Sequence, residues 1–165
     1  LYADGTLTIF GTRTMEGAYS YPWHQYAKQI TRVIVDEGLA KIATRAFAEL
    51  PNLETVILPS TIMLIEEEAF KSCPKLESIV IPAKVEEIES SAFAFCKSLK
   101  TVYFLGNAPK MAQDIFYNDT LTVYYPAGNQ TWTKDLLLLD YGGKVSWVAG
   151  DPNTYTPLYY RKKET

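Results

Sequence analysis

Glu66, Glu67 and Glu68 run consecutively, and Glu66 lies seven residues ahead of Cys73. Carboxylates that close to a thiol fit a metal site, an acid/base pair or an activated nucleophile. A catalytic thiol needs a base to remove its proton, and His24 is the sole histidine of the sequence, far upstream of Cys73 and Cys96. One imidazole with two thiols does not make a zinc site, and the hydroxyl residues lack an orienting base of their own. The glutamates remain as candidate Ca²⁺ ligands, but calcium needs several converging oxygens. The expectation is therefore no catalytic residues, no metal and no cofactor, with the glutamates a solvated edge and His24 part of local packing.

What positions these residues is a repeat. Ala46-Phe47, Ala69-Phe70 and Ala92-Phe93 are each 23 residues apart, and Ile115-Phe116 falls 23 further on. Whole units recur around them: 30–52, 53–75 and 76–98, then a 22-residue unit over 99–120 and a closing strand, LTVYYPAG. Each unit reads as one short β-branched strand, stopped at Pro59 or Pro82, followed by a single α or 3₁₀ turn at the Ala-Phe pair. No unit buries its apolar residues alone. Stacking them gives a parallel, β-dominated solenoid of the α/β repeat class.

In this register Cys73 and Cys96 occupy one slot, which Leu50 fills a unit earlier. A slot that accepts Leu is interior, so the pair is expected as a ladder of reduced, buried thiols, with a disulfide between layers the alternative. Glu66 matches Glu89, making an acidic column of two layers.

The pattern L-x-x-[VI]-x-[ILF]-P-x-x-[VI]-x-x-I-x-x-x-A-F-x-x-C over residues 30–126 resembles the BspA-like leucine-rich repeat family of bacterial cell surfaces. The ends, GTLTIFGTRTM with YPWHQYAKQITRVIV and LTVYYPAGNQTW with GGKVSWV, are similar to that family's entry and closure. Leu50 in place of Cys, Ile115 in place of Ala, and a fourth unit without Cys depart from the pattern. The resemblance implies a non-catalytic surface or secreted module that recognises a protein or a glycan, or else a structural spacer in a larger surface protein. It also implies an extracellular or cell-surface location. The chain opens at Leu1 without a charged-then-apolar leader, as expected of a trimmed, mature form.

A solenoid needs covered ends. Residues 1–29 are assigned to an N-terminal cap, with Leu7, Ile9 and Phe10 as a strand and Tyr19, Tyr21, Trp23 and Tyr26 over the first layer. Residues 30–126 are the repeats, and 127–150 a C-terminal cap built on Trp132, Leu136–Leu139 and Val145–Val148. These make one domain over 1–150, and 151–165 read as a tail or linker. A net charge of −3 gives no case for nucleic acid, whose phosphates require a clustered basic face. The single basic cluster, Arg161-Lys162-Lys163, sits in the tail, and no apolar run approaches the roughly 18 residues of a membrane span.

Strand alternation then defines an outward face. If Val56 and Leu58 point inward, Ile34, Ile57, Val80, Tyr103 and Tyr124 form an outward apolar column. Beside it run Arg32, Thr55, Ser78, Thr101 and Thr122. An exposed apolar and aromatic stripe next to hydroxyls suits recognition. Alternatively β-propensity alone fills these positions, or the tail covers them.

Overall fold

The computed structural model describes residues 1–12 and 14–161, so Lys162 and Lys163 of the basic cluster lie outside the described residues. The strand of each unit forms where β-branched residues alternate inward and outward. These are β1 (Thr6–Ile9), β2 (Arg32–Val35), β4 (Thr55–Ile57), β6 (Ser78–Ile81), β8 (Thr101–Phe104), β10 (Thr120–Pro126) and β11 (Lys144–Gly150). All pair in parallel, in the orders β1-β2-β4 and β6-β8-β10-β11. The ladder is interrupted between β4 and β6.

A second ladder, not expected from the sequence, runs along another side of the coil. It joins β3 (Lys41–Ile42), β5 (Leu64–Ile65), β7 (Glu87–Ile88) and β9 (Lys110–Met111) in parallel. Two residues, one inward and one outward, are too few for periodicity to show.

The Ala-Phe segment differs from expectation as well, being a chain of turns rather than a helical turn. Arg45, Glu68 and Ser91 have φ of 57°, 55° and 56°, and Glu49, Ser72, Phe95 and Asn118 have φ of 58°, 59°, 61° and 67°. Left-handed residues break a helix. Here they turn alternate amides along the solenoid axis, so Arg45, Phe47 and Glu49 donate to the carbonyls of Glu67, Ala69 and Lys71 in the next unit. The corner is thereby hydrogen-bonded unit to unit, as the strands are.

Inside, equivalent residues stack. Trp23, Phe47, Phe70, Phe93 and Phe116 form a continuous column of rings with centroids 5.8, 5.4, 5.5 and 6.1 Å apart. Tyr21 closes its N-terminal end, stacked on Trp23 at 4.8 Å, its hydroxyl donating to the Thr44 carbonyl at 2.9 Å. Tyr19 and Tyr26, expected in that cap, are exposed instead, as is Phe10. At the other end Trp132 packs edge-on to Phe104 at 4.9 Å and beside Trp147 at 5.9 Å. Leu136 and Leu137, in the short helix α1 (Lys134–Leu137), join this packing, whereas Leu138 and Leu139 point to solvent. No helix among the described residues is long and apolar enough to cross a membrane.

After β11 the chain reverses. The Asp151 carboxylate accepts the Asn153 amide at 2.9 Å and caps α2 (Pro152–Tyr155), where Pro152 needs no amide partner. A further turn, α3 (Leu158–Arg161), follows. Both helical turns lie against the outward face of the sheet.

Candidate recognition surface

Strand register places both outward columns as alternation requires. Ile34 pairs with Ile57, and Val80 with Tyr103 and then Tyr124. Likewise Arg32 pairs with Thr55, and Ser78 with Thr101 and then Thr122. Val56 and Leu58 belong to the main core, while Ile57 and Val80 form a separate apolar cluster on the opposite face of the sheet.

That second cluster is completed by the C-terminal segment. Tyr160, 6% exposed, packs with Ile57 and Val80, with Ile34, Tyr103, Leu105 and Tyr159 around them. The Tyr155 ring lies over Tyr103 at 5.9 Å and Tyr124 at 5.4 Å, and its hydroxyl donates to the Phe104 carbonyl. Tyr103 and Tyr124 are themselves stacked at 5.4 Å. The Tyr159 hydroxyl bonds the Ser78 hydroxyl at 3.1 Å. Burial pushes the Tyr155 and Tyr159 phenols up, so both stay neutral hydrogen-bonding groups. Arg161 turns inward on the segment, its guanidinium donating to the Thr154 carbonyl at 3.0 Å.

The hydroxyl column is treated differently. Arg32 is exposed, and Thr55, Ser78, Thr101 and Thr122 are half-buried. Thr55 and Ser78 flank the interruption of the ladder, and there an open groove of about 480 Å³ is lined by Glu54, Thr55, Lys75, Glu77, Ser78, Ser98 and Tyr159. Lys75, Glu77 and Ser98 were not read from the sequence as site residues. The register held the signal: Lys75 and Ser98 share one slot, Glu54 and Glu77 another, immediately before the strand.

The chemically suggestive residues resolve into structure. The Cys73 and Cys96 thiols are free and buried, at 3.1 and 3.2 Å from the Phe47 and Phe70 carbonyls they donate to. The neighbouring Cys73 thiol and burial push the Cys96 thiol far up, so it stays protonated. The His24 ring stands edge-on to Tyr21 and Trp23, with Nε2 at 3.2 Å from the Ala46 carbonyl oxygen.

Two of the three glutamates are not the solvated edge expected of them. Glu66 accepts from the Lys41 ammonium at 2.7 Å and from the amide and hydroxyl of Thr44 at 2.9 and 3.1 Å. Burial raises its carboxyl, but Lys41 and Thr44 outweigh this and hold it below the usual range. Glu68 links Lys71 to Arg45. These carboxylates tie one unit to its neighbour, and Glu67 alone faces water. Among the described residues no three His, Cys, Asp or Glu side chains are grouped to hold a metal ion.

The family model for the BspA type leucine rich repeat region matches residues 20–135 in six copies. The chain belongs to this family. The match begins within the segment expected as a cap, where Trp23 heads the ring column. Several solved structures share the fold. A leucine-rich repeat protein from Bacteroides ovatus is 22% identical, with a TM-score of 0.57, and the match covers 87% of this chain and 42% of that one. The pneumococcal vaccine antigen PcpA is 18% identical with a TM-score of 0.57, covering 89% and 42%. The T. pallidum leucine rich repeat protein TpLRR is 25% identical with a TM-score of 0.51, covering 61% and 48%. The chain thus spans less than half the length of each. No curated protein matches it. BspA-type repeats point to a non-catalytic repeat module.

Proposed function

We propose that this chain is a non-catalytic recognition module of a bacterial cell-surface or secreted protein, and that it binds a protein or glycan through the polar border of its sheet face. Arg32, Thr55, Ser78 and Thr101 supply the contact column, and the apolar column of Ile34, Ile57, Val80, Tyr103 and Tyr124 is the base on which the C-terminal segment holds Tyr159 in place. The observation that carries this reading is the groove at the ladder interruption. It combines a tyrosine wall, hydroxyls from two coils, one ammonium and two carboxylates in about 480 Å³. Carbohydrates and polar peptide segments offer matching hydroxyls and amides, which such groups bind by directional hydrogen bonds.

A glycan array and a pull-down with the intact chain, each repeated with Ser78→Ala and Glu77→Ala, test the proposal. At least one ligand class should bind, and both variants should weaken it by about fivefold or more, the loss of one hydrogen bond. Unchanged binding in both variants overturns it. A second reading, a spacer in a longer surface protein, draws support from the covered apolar column and from the larger size of the solved relatives. It predicts no ligand in either assay.

A further inference from the structure

The 23-residue slot that holds Leu50, Cys73 and Cys96 continues to Asp119, so a carboxylic acid stands in the column of core thiols. Asp119 is 4% exposed, and neither carboxylate oxygen has a hydrogen-bond partner. In the two coils before it the slot is a donor: Cys73 gives its S–H to the Phe47 carbonyl and Cys96 to Phe70, each 26 residues back. Twenty-six residues before Asp119 is Phe93, whose ring continues the same stack. A carboxylate cannot donate to that carbonyl, but a carboxylic acid can.

Asp119 also sits at a joint. Its main-chain carbonyl accepts the Lys144 amide at 2.9 Å at the start of β11, and its own amide donates to Phe116. The neighbouring Asn118 amide reaches Gly142 across the same joint. Gly143 packs so closely that a Cβ there would lie 2.7 Å from the Asp119 carbonyl oxygen. Titratable neighbours come from both sides. The Cys96 thiol of the preceding coil interacts with it electrostatically, and from the cap come buried Tyr141 and Lys144, whose residue is solvent-exposed. Asp114 of the same unit is occupied by Ser90 and Ser91.

We propose that Asp119 makes the junction between the last repeat and the C-terminal coil pH-sensitive: the neutral acid completes the ladder of core donors, and the carboxylate, left buried without a partner, loosens the junction. Burial pushes the carboxyl up to about 7, tempered by the Cys96 main-chain amide, which does not reach hydrogen-bond geometry. A raised acid binds its proton more tightly in the folded chain. Its stabilising effect is complete below the unfolded carboxyl value and is lost as pH rises toward about 7. Glu66, Glu68 and Asp114, all held low, titrate in the opposite sense, so the difference between wild type and a neutral variant isolates Asp119.

The test is urea unfolding of wild type, Asp119→Asn and Asp119→Cys from pH 5 to pH 8, with ¹³C titration of the Asp119 carboxyl in the wild type. Between those limits wild type should lose about a hundredfold in its folding constant relative to either variant. Amide exchange at Lys144, corrected for intrinsic rate, should accelerate over the same interval. Parallel stability profiles, or a carboxyl midpoint near 4, would overturn the proposal. The titration needs no variant, so it decides even if both variants fail to fold.

Discussion

The inside of the coil and the outer side of its β-sheet carry columns of equal regularity and meet opposite fates. On the inner side the repeat supplies everything it needs: each Phe finds the next Phe, and each thiol finds a carbonyl of the preceding coil. On the outer side the same period lines up Ile34, Ile57, Val80, Tyr103 and Tyr124, but among the described residues no repeat layer covers them. An aperiodic segment, 152–161, does so with Tyr155 and Tyr160. A repeat encodes its core by translation, whereas its free face needs a partner that translation cannot generate. Here the partner comes in the same chain, and what stays open is the polar border.

The largest effect should come from interrupting the inner column. Phe70→Ala removes a fully buried ring between two others, and about 3–5 kcal/mol of stability should be lost, measured as a shift of the urea midpoint. Tyr160→Ala on the outer side should cost less, about 2 kcal/mol by area. Its signature should be local: faster amide exchange in 152–161 and new binding of an apolar dye, with the repeat amides unchanged. If Tyr160→Ala unfolds the chain as completely as Phe70→Ala, the two sides are one cooperative structure and the contrast fails.

Smaller still, Glu66→Gln should lower stability by about 1 kcal/mol at pH 7 and by little at pH 3. The sign follows from its depressed carboxyl: the contribution is present above the unfolded carboxyl value and lost as pH falls through the folded one. The exposed Arg45–Glu49 pair should be smallest, about 0.3 kcal/mol, and should vanish in high salt.

How much of this was legible in the sequence follows the same division. The 23-residue register placed the strands, the Phe column, the buried thiols and both outward columns, because each depends on residues repeated in place. It did not show the left-handed corners: Arg45, Glu68 and Ser91 share a backbone conformation but no common side-chain chemistry, and none is glycine. The glutamates looked solvated because no local pattern reveals that Lys41 and Thr44 lie one coil away. The tail as a cover was readable only as one of two alternatives to an open recognition face, since Tyr155 and Tyr160 have no counterpart in other units. Asp119 stands in the Cys slot of the fourth unit, where a polar residue breaks the apolar pattern that marks a core position.

The most direct measurement is hydroxyl-radical footprinting of the intact chain, read tyrosine by tyrosine. Tyr103, Tyr124, Tyr155 and Tyr160 should react slowly and Tyr19 and Tyr117 rapidly, because the first group packs between the sheet face and the C-terminal segment and the second faces water. Equal reactivity of Tyr103, Tyr124 and Tyr19 would contradict the account, leaving the apolar column itself free as the recognition surface.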